Sequence, residues 1–100
     1  PRTPLVLLDS AQPPSPGKRT GLLSFQKSPL EDAFHRAETL SPSGDLPEAA
    51  CNLFSAMKRL DASGVEMIQA VRVPDYGLGR AVNDRLMRAA HKSDLSVPGS

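Results

Sequence analysis

The stretch that most constrains this chain is Asp75-Tyr76-Gly77-Leu78-Gly79-Arg80-Ala81-Val82-Asn83-Asp84-Arg85-Leu86, a glycine-bracketed turn that leads from an apolar run into a helix-forming sequence. Val65 to Val73, just before it, is apolar and β-branched enough to be a strand, and Pro74 ends it. Gly77 and Gly79 let the backbone turn tightly, and helical spacing follows from Leu78 to about His91. A strand feeding a helix through a short turn is the building unit of α/β domains, so the rest of the chain is read for the same alternation.

It is there. Leu5 to Leu8 is a short apolar run closed by Asp9, which suits a strand covered on both faces. Ser10 to Lys18 carries Pro13, Pro14, Pro16 and Gly17, so an extended loop stands where a crossover helix is expected. Thr20 to Phe25 gives the second strand. Ser28-Pro29-Leu30-Glu31 has the cap, first-turn proline and acid of a short helix reaching Phe34 or His35, and Arg36 to Leu40 returns as a third strand. After the turn at Ser41-Pro42-Ser43-Gly44, Asp45 and Glu48 form a capping box for the main helix, Leu46 to Ala62, which Gly64 stops. One broad arc of that helix collects Leu46, Ala49, Ala50, Leu53, Phe54, Ala56, Met57 and Leu60. The order predicts a single α/β domain over 1–92, a small open, mostly parallel, Rossmann-like sheet of about four strands flanked by helices. Lys92 onward lacks periodicity, and 93–100 is expected to be a disordered tail.

Composition narrows the function classes. A formal net charge of +1 indicates neither a polyanion-coating protein nor an acidic tail. The lone Cys51 has no partner for an internal disulfide, no Cys/His spacing resembles a metal site, and a cytoplasmic address follows. The run at Leu5 to Leu8 falls far short of the ~20 residues of a membrane helix, so no membrane partner is expected. With no initiator methionine and a start at Pro1-Arg2-Thr3-Pro4, the chain reads as a piece of something longer.

Gly77 and Gly79, at the N-terminus of a helix, invite a phosphate, but Val82 stands where a dinucleotide fingerprint wants a small residue, and no GKS or GKT follows. Plain turn geometry is the stronger reading. Arg80, Arg85, Arg88 and Lys92 outnumber Asp84 on the last helix, as either a nucleic-acid face or a solvated one; no aromatic is interleaved for base stacking. Arg85 falls within the arc of Leu78, Ala81, Val82 and Ala89, and Asp61 within that of the main helix. Either Arg85 snorkels to the rim, or it pairs with a carboxylate, Asp61 first, or docks on a neighbouring domain. His35, His91 and Cys51 are isolated, and no acid/base or nucleophile constellation is assembled, so no catalytic residue is assigned.

LSPSGDL from Leu40, ACNLFSAMKRLD from Ala50 to Asp61, and GLGRAVNDRLMRAA from Gly77 to Ala90 resemble the C-terminal domain of the long-form threonylcarbamoyl-AMP synthases. Pro1 to Leu5 is similar to the segment just after the linker in those enzymes, and Thr20 to Phe25 to their second strand; the proline-rich loop departs from the pattern, since relatives place a helix there. The resemblance implies an accessory domain of an enzyme that makes threonylcarbamoyladenylate from threonine, bicarbonate and ATP for the threonylcarbamoyladenosine of tRNA. It also implies that ATP and a divalent metal belong to the parent's YrdC-like catalytic domain, the expected partner in cis or in trans. This chain would hold no cofactor, contact no tRNA directly and turn over nothing alone. The alternative is an independent α/β module that binds a protein or senses a nucleotide.

Overall fold

The computed structural model describes residues 2–95, with side chains over 2–92. Strands β1 (Leu5–Leu8), β2 (Thr20–Ser24), β3 (Arg36–Thr39) and β4 (Met67–Val71) form one sheet in the order β1-β4-β2-β3, with every pair parallel. Helix α1 (Leu46–Asp61) joins β3 to β4, and α2 (Leu78–Leu95) follows β4. The short helix expected after Ser28 is a 3-10 turn, Glu31–Ala33, with Leu30 at its N-cap and no side-chain cap; the Ser28 hydroxyl expected to cap it accepts from Leu30 N–H at 3.1 Å, just before the turn. This is the small open α/β sheet expected, consistent with a Rossmann-like arrangement. Helix α2 runs to Leu95, into the stretch expected as a tail, and 96–100 of that stretch lie outside the described residues.

The helices share one face. Leu5, Leu23, Ile68 and Ala70 project from the sheet into a single buried cluster with Leu53, Ala56 and Leu60 of α1 and Val82, Leu86 and Ala89 of α2. The row Val6, Gln69, Leu22, Ala37 crosses the sheet one register step away and so faces the other side, because side chains alternate along strands. Leu22 is fully buried there, under a layer built without an α-helix. The proline-rich connection from β1 to β2 passes over this face, where the Gln69 side chain accepts from Gln12 N–H at 3.1 Å and donates to Gln12 C=O at 3.0 Å. An amide side chain thus gives loop backbone the pairing that a crossover helix would have supplied internally.

Helix α1 starts where the capping box placed it, by a longer relay. Asp45 Oδ2 accepts from Glu48 N–H at 2.9 Å, while the buried Ser41 hydroxyl donates to the Glu48 carboxylate and accepts from Asp45 N–H at 2.7 Å. The helix ends before Gly64, whose φ of +84° is the left-handed conformation that stops it. Its buried stripe is narrower than the sequence arc: Leu46, Ala49, Leu53, Ala56 and Leu60. Phe54 was expected in the core and is instead 63% exposed, and Met57 is only half-buried. Phe54 lies one residue, about 100°, past Leu53, which turns it off the sheet and toward α2.

Candidate functional site

The β4-to-α2 turn is built by three residues acting on one point. Gly77 takes a φ of +54°, and a Cβ on Gly79 would stand 1.9 Å from the Pro74 carbonyl oxygen, so the helix can approach the strand end this closely only with hydrogen there. Four residues on, on the same helix face, the buried Asn83 accepts from Val73 N–H at 2.9 Å, and its amide donates to Val73 C=O at 2.8 Å and to Asp75 Oδ1 at 3.4 Å. Gly79 N–H donates to Tyr76 C=O at 2.9 Å and Arg80 N–H to Gly77 C=O at 3.2 Å. Backbone geometry accounts for both glycines, and two of the amides that would meet an anion are already engaged.

Asn83 also explains where Arg85 goes. The buried stripe of α2 is Gly79, Val82, Asn83, Leu86 and Ala89, rotated from the arc read through Leu78 and Ala81, which are both exposed. That rotation carries Arg85 outward: it is exposed, and among the described residues no ion pair or hydrogen bond joins it to any acid. The proposed Asp61–Arg85 pair is therefore not formed. Asp61 instead accepts on a single oxygen from Arg2 N–H at 3.1 Å, Thr3 N–H at 2.9 Å and the Thr3 hydroxyl at 2.6 Å, tying the start of the chain to the end of α1. The Thr3 hydroxyl foremost, then the backbone donors, hold the Asp61 carboxyl below its usual range against partial burial. Of the other cations on α2, Arg88 pairs with Asp84 one turn back at 3.1 Å, whereas Arg80 is solvated.

A second carboxylate is held at the sheet edge. Glu38 of β3 accepts from Arg59 of α1 at 2.8 Å and from Arg36 at 3.1 Å. The Arg59 hydrogen bond is the main cause that keeps its carboxyl below the ordinary range, desolvation opposes it, and Arg36 adds to the lowering.

Where Phe54 turns outward, α1 and α2 leave a groove. Leu53, Phe54 and Met57 form its apolar side, and Arg85, Arg88, Lys58 and Lys92 surround it, with Asp61 at one end. The Lys58 ammonium sits 5.4 Å over the Phe54 ring. Among the described residues no three His, Cys, Asp or Glu side chains converge to hold a metal ion. No helix among them is long and apolar enough to cross a membrane.

Fold and surface together define a two-layer α/β domain of the open parallel-sheet class, with a pinned turn at the end of β4 and a basic, part-apolar groove between its helices. Residues 1–91 match the family described as "Threonylcarbamoyl-AMP synthase, C-terminal domain", and the chain belongs to that family. It is 34% identical over 74 residues to a protein of Pyrococcus abyssi (strain GE5 / Orsay) named threonylcarbamoyl-AMP synthase, covering 74% of this chain and 20% of that relative. A Bacillus subtilis (strain 168) protein of the same name is 30% identical over 74 residues, covering 74% of this chain and 21% of its own length. The chain thus spans about a fifth of the length of the curated relatives it matches. No solved structure matches it.

Proposed function

We propose that this domain is the accessory part of an enzyme that condenses threonine, bicarbonate and ATP into threonylcarbamoyladenylate, the donor for threonylcarbamoyladenosine in tRNA. The observation that carries the reading is the family match over residues 1–91 to a domain described as C-terminal, in relatives of which the matched stretch is about a fifth. The chemistry then lies in the preceding YrdC-like domain, which works in the cytoplasm with this domain in cis. ATP activation needs cations converging on the triphosphate, with a metal held by carboxylates. The cations described here line an open groove, stand in pairs at the surface or, like Arg80, are solvated singly. The domain's contribution is to favour a closed state of the catalytic cleft, in which water is excluded and the substrates are held together.

Pyrophosphate release from ATP in the presence of threonine and bicarbonate tests this on the domain, the catalytic domain and their mixture. The domain alone should release none, the catalytic domain should be impaired, and the mixture should recover part of the activity of the intact enzyme. Recovery is incomplete because separating the parts lowers their effective concentration from the roughly millimolar level a linker provides. Turnover by this domain alone would overthrow the assignment, and a mixture no better than the catalytic domain would favour an independent binding module.

A further inference from the structure

Apolar side chains scattered singly over a surface need no explanation, and Tyr76 and Leu78 are exposed in that way. Phe54 differs. It is 63% exposed, yet it stands beside Met57 and Leu53 in a concave site between two helices whose lining carries four cations and two acids. A large aromatic in a groove, with charged groups at the rim, is the pattern of an interface anchor.

Two observations select the occupant. Asp61, at one end of the groove, is also the carboxylate that binds Arg2 and Thr3, so any chain preceding this domain approaches it beside the groove. The family description places this domain C-terminally, and the relatives carry most of their length elsewhere. The groove is also charged: Lys58, Arg85, Arg88 and Lys92 stand against Asp61 and Asp84, and those two acids are engaged by Thr3 and Arg88. A second copy seated on the same face would set these cations against their like, whereas an acidic partner would meet them.

We propose that the groove between α1 and α2, with Phe54 as its anchor, is the face on which the preceding catalytic part of the same polypeptide docks, through an acidic surface with an apolar centre. This rests on the accessory reading above and adds the surface and the chemistry of its partner. Phe54 fills an apolar recess in that surface, while Arg85 and Lys92 meet its carboxylates, which makes the contact sensitive to salt.

Hydroxyl-radical footprinting of the full-length enzyme tests it, with each residue's modification rate scaled to its rate in the unfolded protein. Tyr76 is an internal control, being as exposed in the domain as Phe54. Phe54 should be modified severalfold more slowly than Tyr76, and raised salt or Arg85→Glu should bring the two together. Phe54→Asp should raise the modification of Met57 while Met87 stays unchanged, and since Phe54 is exposed the fold should survive it. Equal scaled rates for Phe54 and Tyr76 overturn the proposal. So does protection that disappears on dilution, which means a second copy, or protection that requires added tRNA. The accessory reading is scored separately by the turnover of enzyme lacking this domain. Lost turnover with an unprotected Phe54 removes only the groove, and unchanged turnover with a protected Phe54 removes only the accessory role.

Discussion

Replacing Asn83 by alanine should do more damage than any exposed substitution on α2. The side chain is 5% exposed and makes a two-way clamp on Val73, 2.9 Å from its N–H and 2.8 Å from its carbonyl oxygen. Val73 is itself 4% exposed, so neither backbone group finds water when the clamp is removed. A buried donor or acceptor left without a partner costs about 1–3 kcal/mol, so two should cost about 2–6 kcal/mol, out of the roughly 5–15 kcal/mol available to a domain of this size. Asn83→Asp separates the two halves: a carboxylate keeps the acceptor for Val73 N–H but turns oxygen against the Val73 carbonyl, so little should be recovered at neutral pH. Urea unfolding followed by circular dichroism is the assay. The midpoint of Asn83→Ala should fall with an unchanged slope, and Asp84→Ala, on the exposed side, should barely move it. A loss below about 1 kcal/mol for Asn83→Ala would show that water reaches Val73 and would refute the argument.

Gly79→Ala must displace the Pro74 carbonyl, 1.9 Å from the new Cβ, so the melting midpoint should drop well below that of Gly17→Ala, a site with open space around it. Leu60→Ala, at a fully buried position, should cost about 2–5 kcal/mol, whereas Phe54→Ala should change stability by less than about 1 kcal/mol; matched denaturation curves decide, and a large loss at Phe54 would put it back in the core. Asp61 and Glu38 both titrate below their usual range in the fold, so the stability they confer is present at neutral pH and is lost as pH falls below about 4, through the folded values. Thr3→Val should therefore lower stability at pH 7, with a difference from the parent that shrinks in acid; a pH-independent difference would remove Asp61 from the account.

The elements were legible because their signals are local. Asp45, Glu48 and Pro47 start α1, Gly64 stops it, and short apolar runs bounded by Asp9, Pro74 or turn residues mark strands. The orientation of α2 was not, because an apolar count gives weight to Leu78 and Ala81 and none to Asn83, although a polar side chain belongs to the buried stripe when it satisfies a strand end. The spacing of Asn83 four residues after Gly79 was the available clue. The partner of Asp61 could not be read at all: Thr3 lies 58 residues away, and helical periodicity says which side a residue faces but not what comes to meet it. Gln69 within an apolar strand was a visible oddity, and its meaning depended on a loop path that proline content leaves open.

The strand order has a consequence for how the domain comes into being. β4 lies between β1 and β2, so Leu5–Leu8 finds its described sheet neighbour only in Met67–Val71, and Gln12 gains the Gln69 clamp from the same strand. A chain emerging from the ribosome therefore holds its first strand unpaired until β4 has cleared the exit tunnel, and closing so long a loop costs entropy before any contact rewards it. Truncation anywhere before residue 71 should leave an open sheet with apolar faces rather than a smaller working domain, a species for chaperones and proteases to deal with.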